Sequence, residues 1–553
     1  MSLLNKASLI QIPSGYKDGT LYSAKPINGD GDFTFSRGSN LAATRVNSEG
    51  LIEKGRENVL LQSNSFDTTW ANSSTSETSG QTGYDGSSNA WLLTKTASSG
   101  YIYQNVSNGG ILTFSIYAKV GTLDWIRFVL NGSSNAYQYF DLNNGVLGSG
   151  ADGKISASIT DVGNGYYRCS LAVDNGTISR VRIYPADDNN DTSGTSGNIY
   201  IQDAQLESGD IATDYIPTTT TAVSVGPVAN VPRLDYSGGG CPKLLLEPQR
   251  TNLVTFSEQF DNAVWTPQSG ASVSANTTIS PDGTQNADTL SMPSSSYLYY
   301  LDVTNLTSQK VTLSFYAKGT NGQTIVTRAN TSTNDSQYQT HTLTGEWQRI
   351  EQTFDGGTYN YIYPFDARQS MTATSMQIWG AQVEAGSYPT SYIPTLSAVS
   401  TRGADVCSKT GISSLFGTNQ GTFFIDFVYN NSNLFDYLFD VTDASNVNRF
   451  LMYDSNGSGL FYFYDSGYAV IDAYQLTKGQ RYKIGVKYNS SGTIWYVNGV
   501  LSATGTVSFS YQMAQIYLGQ KFNLTSQSQI QVNQTILFPT ALSNTDLISL
   551  TTI

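Results

Sequence analysis

The sequence is poor in charge, in sulfur and above all in imidazole. Charged residues make up 13% of the 553, and His341 is the only histidine. That share of charge is about half the usual one. A lone imidazole and the absence of an HExxH pattern speak against catalytic zinc, which needs several ligands at fixed spacing. Ser-His-Asp chemistry would have to run through His341, yet it sits in a strand-like Gln339-Thr-His-Thr-Leu343 run with no nucleophile elbow nearby, so an exposed strand histidine is expected. Three cysteines, Cys169, Cys241 and Cys407, lie far apart without CxxC spacing; they suggest neither a disulfide framework nor a zinc cluster. Lys and Arg total 30 against 43 Asp and Glu, for a net charge of −13 with no basic cluster. A nucleic-acid partner is not expected, because phosphate binding needs concentrated positive charge. No apolar run approaches the ~18 residues of a spanning helix, and MSLLNKASLIQIPSGYK has no secretory h-region. The expectation is a protein made in a cytoplasm, with no membrane insertion.

What takes the place of charge is Gly (51), Tyr (36), Ser, Thr and Asn. Helical spacing of apolar residues is nearly absent, whereas short apolar or alternating runs bounded by turn residues recur, so the fold class read from the chain is all-β, as tandem sandwiches. Clear runs are Ile111–Ala118, Val311–Ala317, Gly421–Val428 and Thr493–Val497, the last followed by Asn498-Gly499, a pair suited to a type I′ hairpin. The length sets a prior of about three to five domains.

An internal repeat organises the first 400 residues. Arg56, Asn58, Ser63, Phe66, Asp67 and Trp70 recur in order as Arg250, Asn252, Ser257, Phe260, Asp261 and Trp265. Asp85-Gly86 and Asn89-Ala90 match Asp282-Gly283 and Asn286-Ala287, and the strand ending Tyr-Ala-Lys119 matches one ending Tyr-Ala-Lys318. Both copies close alike, through Ala204-Gln-Leu-Glu207 to Tyr215-Ile-Pro-Thr218 and through Ala381-Gln-Val-Glu384 to Tyr392-Ile-Pro-Thr395. Ordered matches with varying spacers mean duplication of a whole domain with variable loops. The expected modules are 58–218 and 252–395. Residues 219–251 form a connector whose Leu244-Leu-Leu246 packs on a neighbour, and 396–553 form a separate sandwich ending in a helical turn capped by Ser543, with Asp546 three residues on.

Several segments carry a family resemblance: Phe33-Thr-Phe-Ser-Arg37, Ala43–Ile52, Val231-Pro-Arg-Leu-Asp-Tyr-Ser237, Leu245–Leu253 and the repeated Ala-Gln-x-Glu with Tyr-Ile-Pro-Thr. They resemble tailed-bacteriophage virion proteins, the head or tail fibres that carry carbohydrate-binding-module-like jelly rolls. Gly421-Thr-Phe-Phe-Ile-Asp-Phe427, Tyr496-Val-Asn-Gly499 and Leu537–Ser543 are similar to concanavalin-like and laminin-G-like lectin sandwiches. The resemblance implies a virion appendage assembled in the host cytoplasm, a homotrimer, with residues 1–57 docking on other virion proteins. Its implied role is attachment to host cell-surface glycans. A purely structural fibre and a polysaccharide depolymerase stay open as alternatives, although no catalytic residue is assigned.

Sugar binding would use aromatic faces flanked by hydrogen-bonding side chains. The candidates are Tyr101 and Tyr103 in the first module and Tyr297, Tyr299 and Tyr300 in the second, against the alternative that these tyrosines merely alternate between core and surface. Trp70 and Trp265, matched between copies, are expected in cores, as are the aromatics of Phe461-Tyr-Phe-Tyr464 and Trp495. No cofactor is expected beyond a possible Ca2+, for which Asp187–Asp191 or Asp436, Asp440 and Asp443 offer oxygen ligands, although such stretches are more often solvated turns. Gly148-Ser-Gly-Ala-Asp-Gly153 matches G-x-G-x-x-G by letter but lacks the strand and helix of a nucleotide site. Glycoside hydrolysis needs only two facing carboxylates, which 43 acidic residues allow.

Overall fold

The computed structural model describes residues 3–39, 41–151, 153–301, 310–331, 337–355, 359–431, 435–455, 457–465, 469–506, 508–509 and 511–553. The chain is all-β, and it divides into two compact units, Gly55–Gly226 and a second made of Met1–Lys54 with Pro227–Ile553.

The first unit is a jelly-roll sandwich of two six-stranded antiparallel sheets. One runs Lys154–Gly163, Tyr166–Asp174, Ile111–Val120, Gly197–Ser208, Ala90–Lys95, Thr75–Gln81; the other runs Val146–Gly150, Asn135–Asp141, Trp125–Asn131, Ile178–Ala186, Tyr101–Asn108, Ala71–Ser73. Ile111–Val120 reads as a continuous apolar run because it is central and covered on both faces. Tyr101–Asn108 alternates at its start, with Ile102 and Gln104 inward and Tyr101 and Tyr103 outward. Phe66, Trp70, Phe114 and Phe128 fill the space between the sheets.

The 252–395 region repeats this order with five strands per sheet. Gln348–Phe354, Val311–Gly319, Ser375–Ala385, Ala287–Ser291 and Ser272–Thr278 face Gln337–Thr342, Thr324–Thr331, Tyr359–Asp366, Tyr297–Leu301 and Trp265–Gln268. The strands Val146–Gly150 and Lys154–Gly163 of the first copy have no counterpart among its described residues. The first of them holds Gly148–Gly150 of the G-x-G-x-x-G match, whose Asp152 lies outside the described residues.

The matched residues of the repeat build a closing latch in each copy. Buried Asn58 donates through Nδ2 to the carbonyls of Ala204 (3.1 Å) and Ile216 (2.8 Å), and its Oδ1 accepts from the amides of Leu60 and Leu206. Asn252 does the same with Ala381, Ile393, Val254 and Val383. Ser63 meets Tyr215 and Ser257 meets Tyr392, each pair 2.6 Å apart, and each serine also accepts the amide of the closing threonine. An Asn side chain has two donor and two acceptor positions, and both copies satisfy all four with backbone.

The third sandwich departs from expectation in where its strands come from. Leu9–Gln11 and Lys243–Leu246 both pair with Gln529–Phe538, and Leu234–Asp235 pairs with Lys243–Leu246. Phe33–Ser36 joins Thr20–Leu21 to Val406–Lys409 in the opposite, nine-stranded sheet. Residues 1–57 are therefore not a separate segment, and 219–251 is not only a connector. The reason is burial: Leu9, Leu21, Phe33, Phe35, Leu234, Leu244 and Leu246 belong to one core with Phe423, Phe439, Trp495 and Leu537. The hairpin of Thr44–Val46 and Ile52–Lys54 instead covers the second module, where Ile52 packs with Trp379 and Tyr392 and Lys54 pairs with Glu258 and Asp282.

These segments converge on a fully buried ionic knot. Arg37, Arg233 and Arg402 meet Asp405 and Glu247: Arg37 to Asp405 is 3.0 Å, Arg233 to Glu247 2.8 Å, Arg402 to Glu247 2.9 Å, and Arg233 also reaches Asp405. Ser391 of the second module donates its amide and hydroxyl to Glu247. At the C-terminus Ser543 accepts the Asp546 amide as expected, but the helix it caps runs two turns, Asn544–Thr551. Asn498 and Gly499 both have positive φ, as a type I′ turn requires.

Candidate functional site: tyrosine and arginine sheet faces

The outer face of the second sheet in the first module is a lattice of rings and guanidiniums. Tyr101 and Tyr103 come from one strand, Arg180, Arg182 and Tyr184 from the next, Arg127 from the third, Tyr137 and Tyr139 from the fourth. Arg127 lies 4.6 Å from the Tyr137 centroid and 5.2 Å from those of Tyr139 and Tyr184; Arg182 is 5.1 Å from Tyr101, and Arg180 is 4.4 Å from Tyr103. Tyr101 and Tyr184 centroids are 4.7 Å apart. Alternation along each strand puts all of these on one side while Ile102, Val181, Ile183, Ile126 and Phe128 fill the core.

The second module carries a related face. Tyr297 and Tyr299 stack edge-on with Tyr363 and Tyr361, and Arg328 lies 5.4 Å from the Tyr363 centroid. Register makes the correspondence explicit, since Arg127 is opposite Tyr184 as Arg328 is opposite Tyr363. Both strands read Ile-Tyr-Pro-x-Asp, at 183–187 and 362–366, a match that sequence reasoning passed over and that would have located Tyr184 and Tyr363.

Tyr300 is a correction. Alternation along the strand puts it on the inner side with Leu298; it is only 6% exposed, packs 4.9 Å from Trp265, and its hydroxyl accepts the Thr255 amide. It is a core residue. Tyr101, Tyr103, Tyr297 and Tyr299 are half-buried with one face outward. Trp70 and Trp265 are in the cores. In the third sandwich, Phe461, Phe463 and Trp495 are core, whereas Tyr462 lies on the other face in a row with Tyr453, Tyr437 and exposed Phe435.

The remaining candidates are absorbed by structure. Asp187 pairs with buried Lys95, Asp191 accepts the Ser193 amide, and Asp443 accepts from Ser445, Val447 and Asn448 in a turn. Asp440 is buried 3.5 Å from Arg449, and burial pushes it up to about 6. Among the described residues no group of three or more His, Cys, Asp or Glu is placed to hold a metal ion. His341 is half-buried rather than exposed, 3.0 Å from Thr327 Oγ1, and burial lowers its pKa. No helix of the described residues is long and apolar enough to cross a membrane.

Fold and faces together define a class: a multi-sandwich β protein with aromatic sheet surfaces. No protein-family model matches the chain, and no curated protein matches it. Among solved structures, it is similar to the CBM40 of Ruminococcus gnavus IT-sialidase bound to α2,3-sialyllactose, at 18% identity and TM-score 0.21 over 26% of this chain and 91% of that one. The N-terminal CBM22-1–CBM22-2 tandem of Paenibacillus barcinonensis Xyn10C aligns at 11% identity and TM-score 0.22, over 64% of this chain and 100% of its own. Domain 4 of the Geobacillus stearothermophilus arabinanase AbnA, in complex with arabinotriose, aligns at 15% and 0.22 over 27% and 73%.

Proposed function

We propose that this protein is a bacteriophage appendage that attaches to host surface glycans through the outer sheet faces of its repeated sandwiches. The observation that carries the reading is the recurrence, on register-matched strands, of two half-buried outer tyrosines beside a buried tyrosine that faces an arginine: Tyr101 and Tyr103 beside Tyr184 and Arg127 in one copy, Tyr297 and Tyr299 beside Tyr363 and Arg328 in the other. Flat rings receive sugar CH faces, and nearby guanidinium and hydroxyl groups bond sugar hydroxyls. Two such faces per chain, multiplied by a homotrimer, would raise weak single contacts by effective concentration. The virion setting and the trimer rest on the segment resemblance, and so does the non-enzymatic role.

The test is binding of the purified chain to a bacterial glycan array, with reducing ends assayed in the same wells. Binding that falls in Tyr103→Ala and Tyr299→Ala, without sugar release, supports an adhesin. No binding to any glycan favours a structural fibre, and release of reducing ends favours a depolymerase. Sedimentation as a trimer supports the appendage reading, and a monomer counts against it.

A further inference from the structure

The two faces differ in charge, and the difference is local and built in. In the second module Asp366, fully buried, is shared by both arginines and offsets one of their two charges: Arg328 is 3.1 Å away, and Arg368 makes a bidentate pair at 2.7 and 2.8 Å. In the first module the equivalent carboxylate is Asp187, and Lys95 occupies it. Asn189 stands where the second module has Arg368. Arg127, Arg180 and Arg182 consequently form no salt bridge with any described residue, and their nearest neighbours are tyrosine rings, Asn105 and the Tyr184 hydroxyl. The Nε atoms of Arg127 and Arg182 are shielded from solvent without a hydrogen-bond partner.

Arg180 and Arg182 are two residues apart on one strand face, about 7 Å, and Arg127 lies diagonally across from Arg182 on the neighbouring strand. Like charges this close repel, and cation–π contacts with the tyrosines hold them in place. The second module shows that the fold does not require three arginines without carboxylate partners on this face. Guanidiniums presented as flat forks on an aromatic surface match a planar carboxylate beside a sugar ring.

Resting on the glycan-binding reading above, we infer that the first module selects carboxylate-bearing glycans through Arg127, Arg180 and Arg182, while the second module, whose two arginines are both held by Asp366, adds less to that preference. An anionic surface without sugar rings would use the charge but leave the half-buried rings of Tyr101, Tyr103 and Tyr137 idle.

The experiment measures binding of the full chain to polygalacturonate, alginate and polysialic acid, each beside its carboxyl-reduced neutral form, with polyglutamate as a sugar-free polyanion. The expected result is at least a tenfold preference for one or more carboxylated forms, weakened by salt, in line with one or two charge-assisted hydrogen bonds. Arg127→Gln and, separately, Arg180→Gln on the more open rim reduce that preference about tenfold together with the salt dependence, each checked for an unchanged melting profile. Lys318→Gln, an exposed cation on the second module's other sheet, leaves the preference intact. Equal binding of carboxylated and reduced forms overturns the inference while leaving the glycan reading standing. Equal binding of polyglutamate overturns the sugar component. Binding of none of these polymers together with no hit on the glycan array overturns both.

Discussion

Glu247→Gln removes one negative charge from the buried knot and leaves the shape of the side chain nearly unchanged. Glu247 is wholly buried and receives Arg233 (2.8 Å), Arg402 (2.9 Å), the Ser391 amide (2.8 Å) and hydroxyl (2.6 Å), and Gln529 Nε2 (2.7 Å). Burial opposes its charge, but Arg402 and Arg233 with the Ser391 bonds outweigh that and hold the carboxyl well below the usual range. Removing one partner of a buried pair costs about 3–5 kcal/mol, because the other charges stay buried and uncompensated. The unit containing it spans roughly 380 residues. At about 2.1 cal/mol/K per residue its unfolding entropy is about 0.8 kcal/mol/K, so the midpoint should fall by about 4–6 °C. Calorimetry of the full chain should show this in the endotherm of that unit and leave the endotherm of Gly55–Gly226 in place. The carboxyl's depressed pKa gives the sign of the pH effect. The stabilisation is present above the ordinary glutamate range near pH 4 and is lost as pH falls toward the folded-state pKa, so wild type and variant should converge in acid. A shift under about 1 °C at pH 7, or an equal shift of both endotherms, would refute the view that this knot ties the N-terminal strands, the second module and the last sandwich together.

Three further outcomes are expected. Asn58→Ala should destabilise Gly55–Gly226 alone and Asn252→Ala the other unit alone, each by about 2–4 kcal/mol for four buried backbone groups left unpaired, read in the same calorimeter as a lower midpoint of that unit. Tyr300→Ala should cost about 3–5 kcal/mol as a core truncation, whereas Tyr299→Ala should leave the melting profile within about 0.5 kcal/mol and weaken only glycan binding; the reverse pattern would place the site wrongly. Burial, aided by Asp85 and opposed by hydrogen bonds from Tyr84 and Tyr215, raises Asp203 to about 6. Its contribution is therefore greatest below the ordinary aspartate pKa and is lost as pH rises through about 6, so Asp203→Asn should stabilise Gly55–Gly226 by about 1–2 kcal/mol at pH 8 and by little at pH 4. Asn tolerates the positive φ of 56° at this position, so the comparison is of charge rather than backbone.

The chain itself shows the all-β class, the long strands and the duplication, because each leaves a local trace: period-two alternation, Asn-Gly at a hairpin, matched residues in order. It hides the third sandwich's composition. Leu9–Gln11 and Phe33–Ser36 are three and four residues long, too short to announce which distant strand they join, and their partners lie around 400 to 500 positions away. Tyr300 enters the core by alternation with Leu298, which the crowding of three rings into the four residues Tyr297-Leu-Tyr-Tyr300 obscures in the sequence.

Several of the segments that carry the sequence resemblance sit in the buried knot and the closing latches rather than on the outer sheet faces. Arg37, Arg233, Glu247 and the residues around Tyr392 meet in the buried knot, and Asn58, Ser63, Gln205 and Tyr215 with their counterparts close the two modules. Such residues must match between copies because each answers the same backbone groups, so repetition is the mark of architecture. In the reading proposed above, recognition follows the opposite rule: the two sheet faces agree at Tyr184 and Tyr363 and at Arg127 and Arg328, and they differ in charge at Asn189 against Arg368 and in whether the aspartate of Ile-Tyr-Pro-x-Asp meets a lysine or an arginine pair. A duplicated domain can change what it binds by rewiring one carboxylate at the edge of a sheet, with the core and latch untouched.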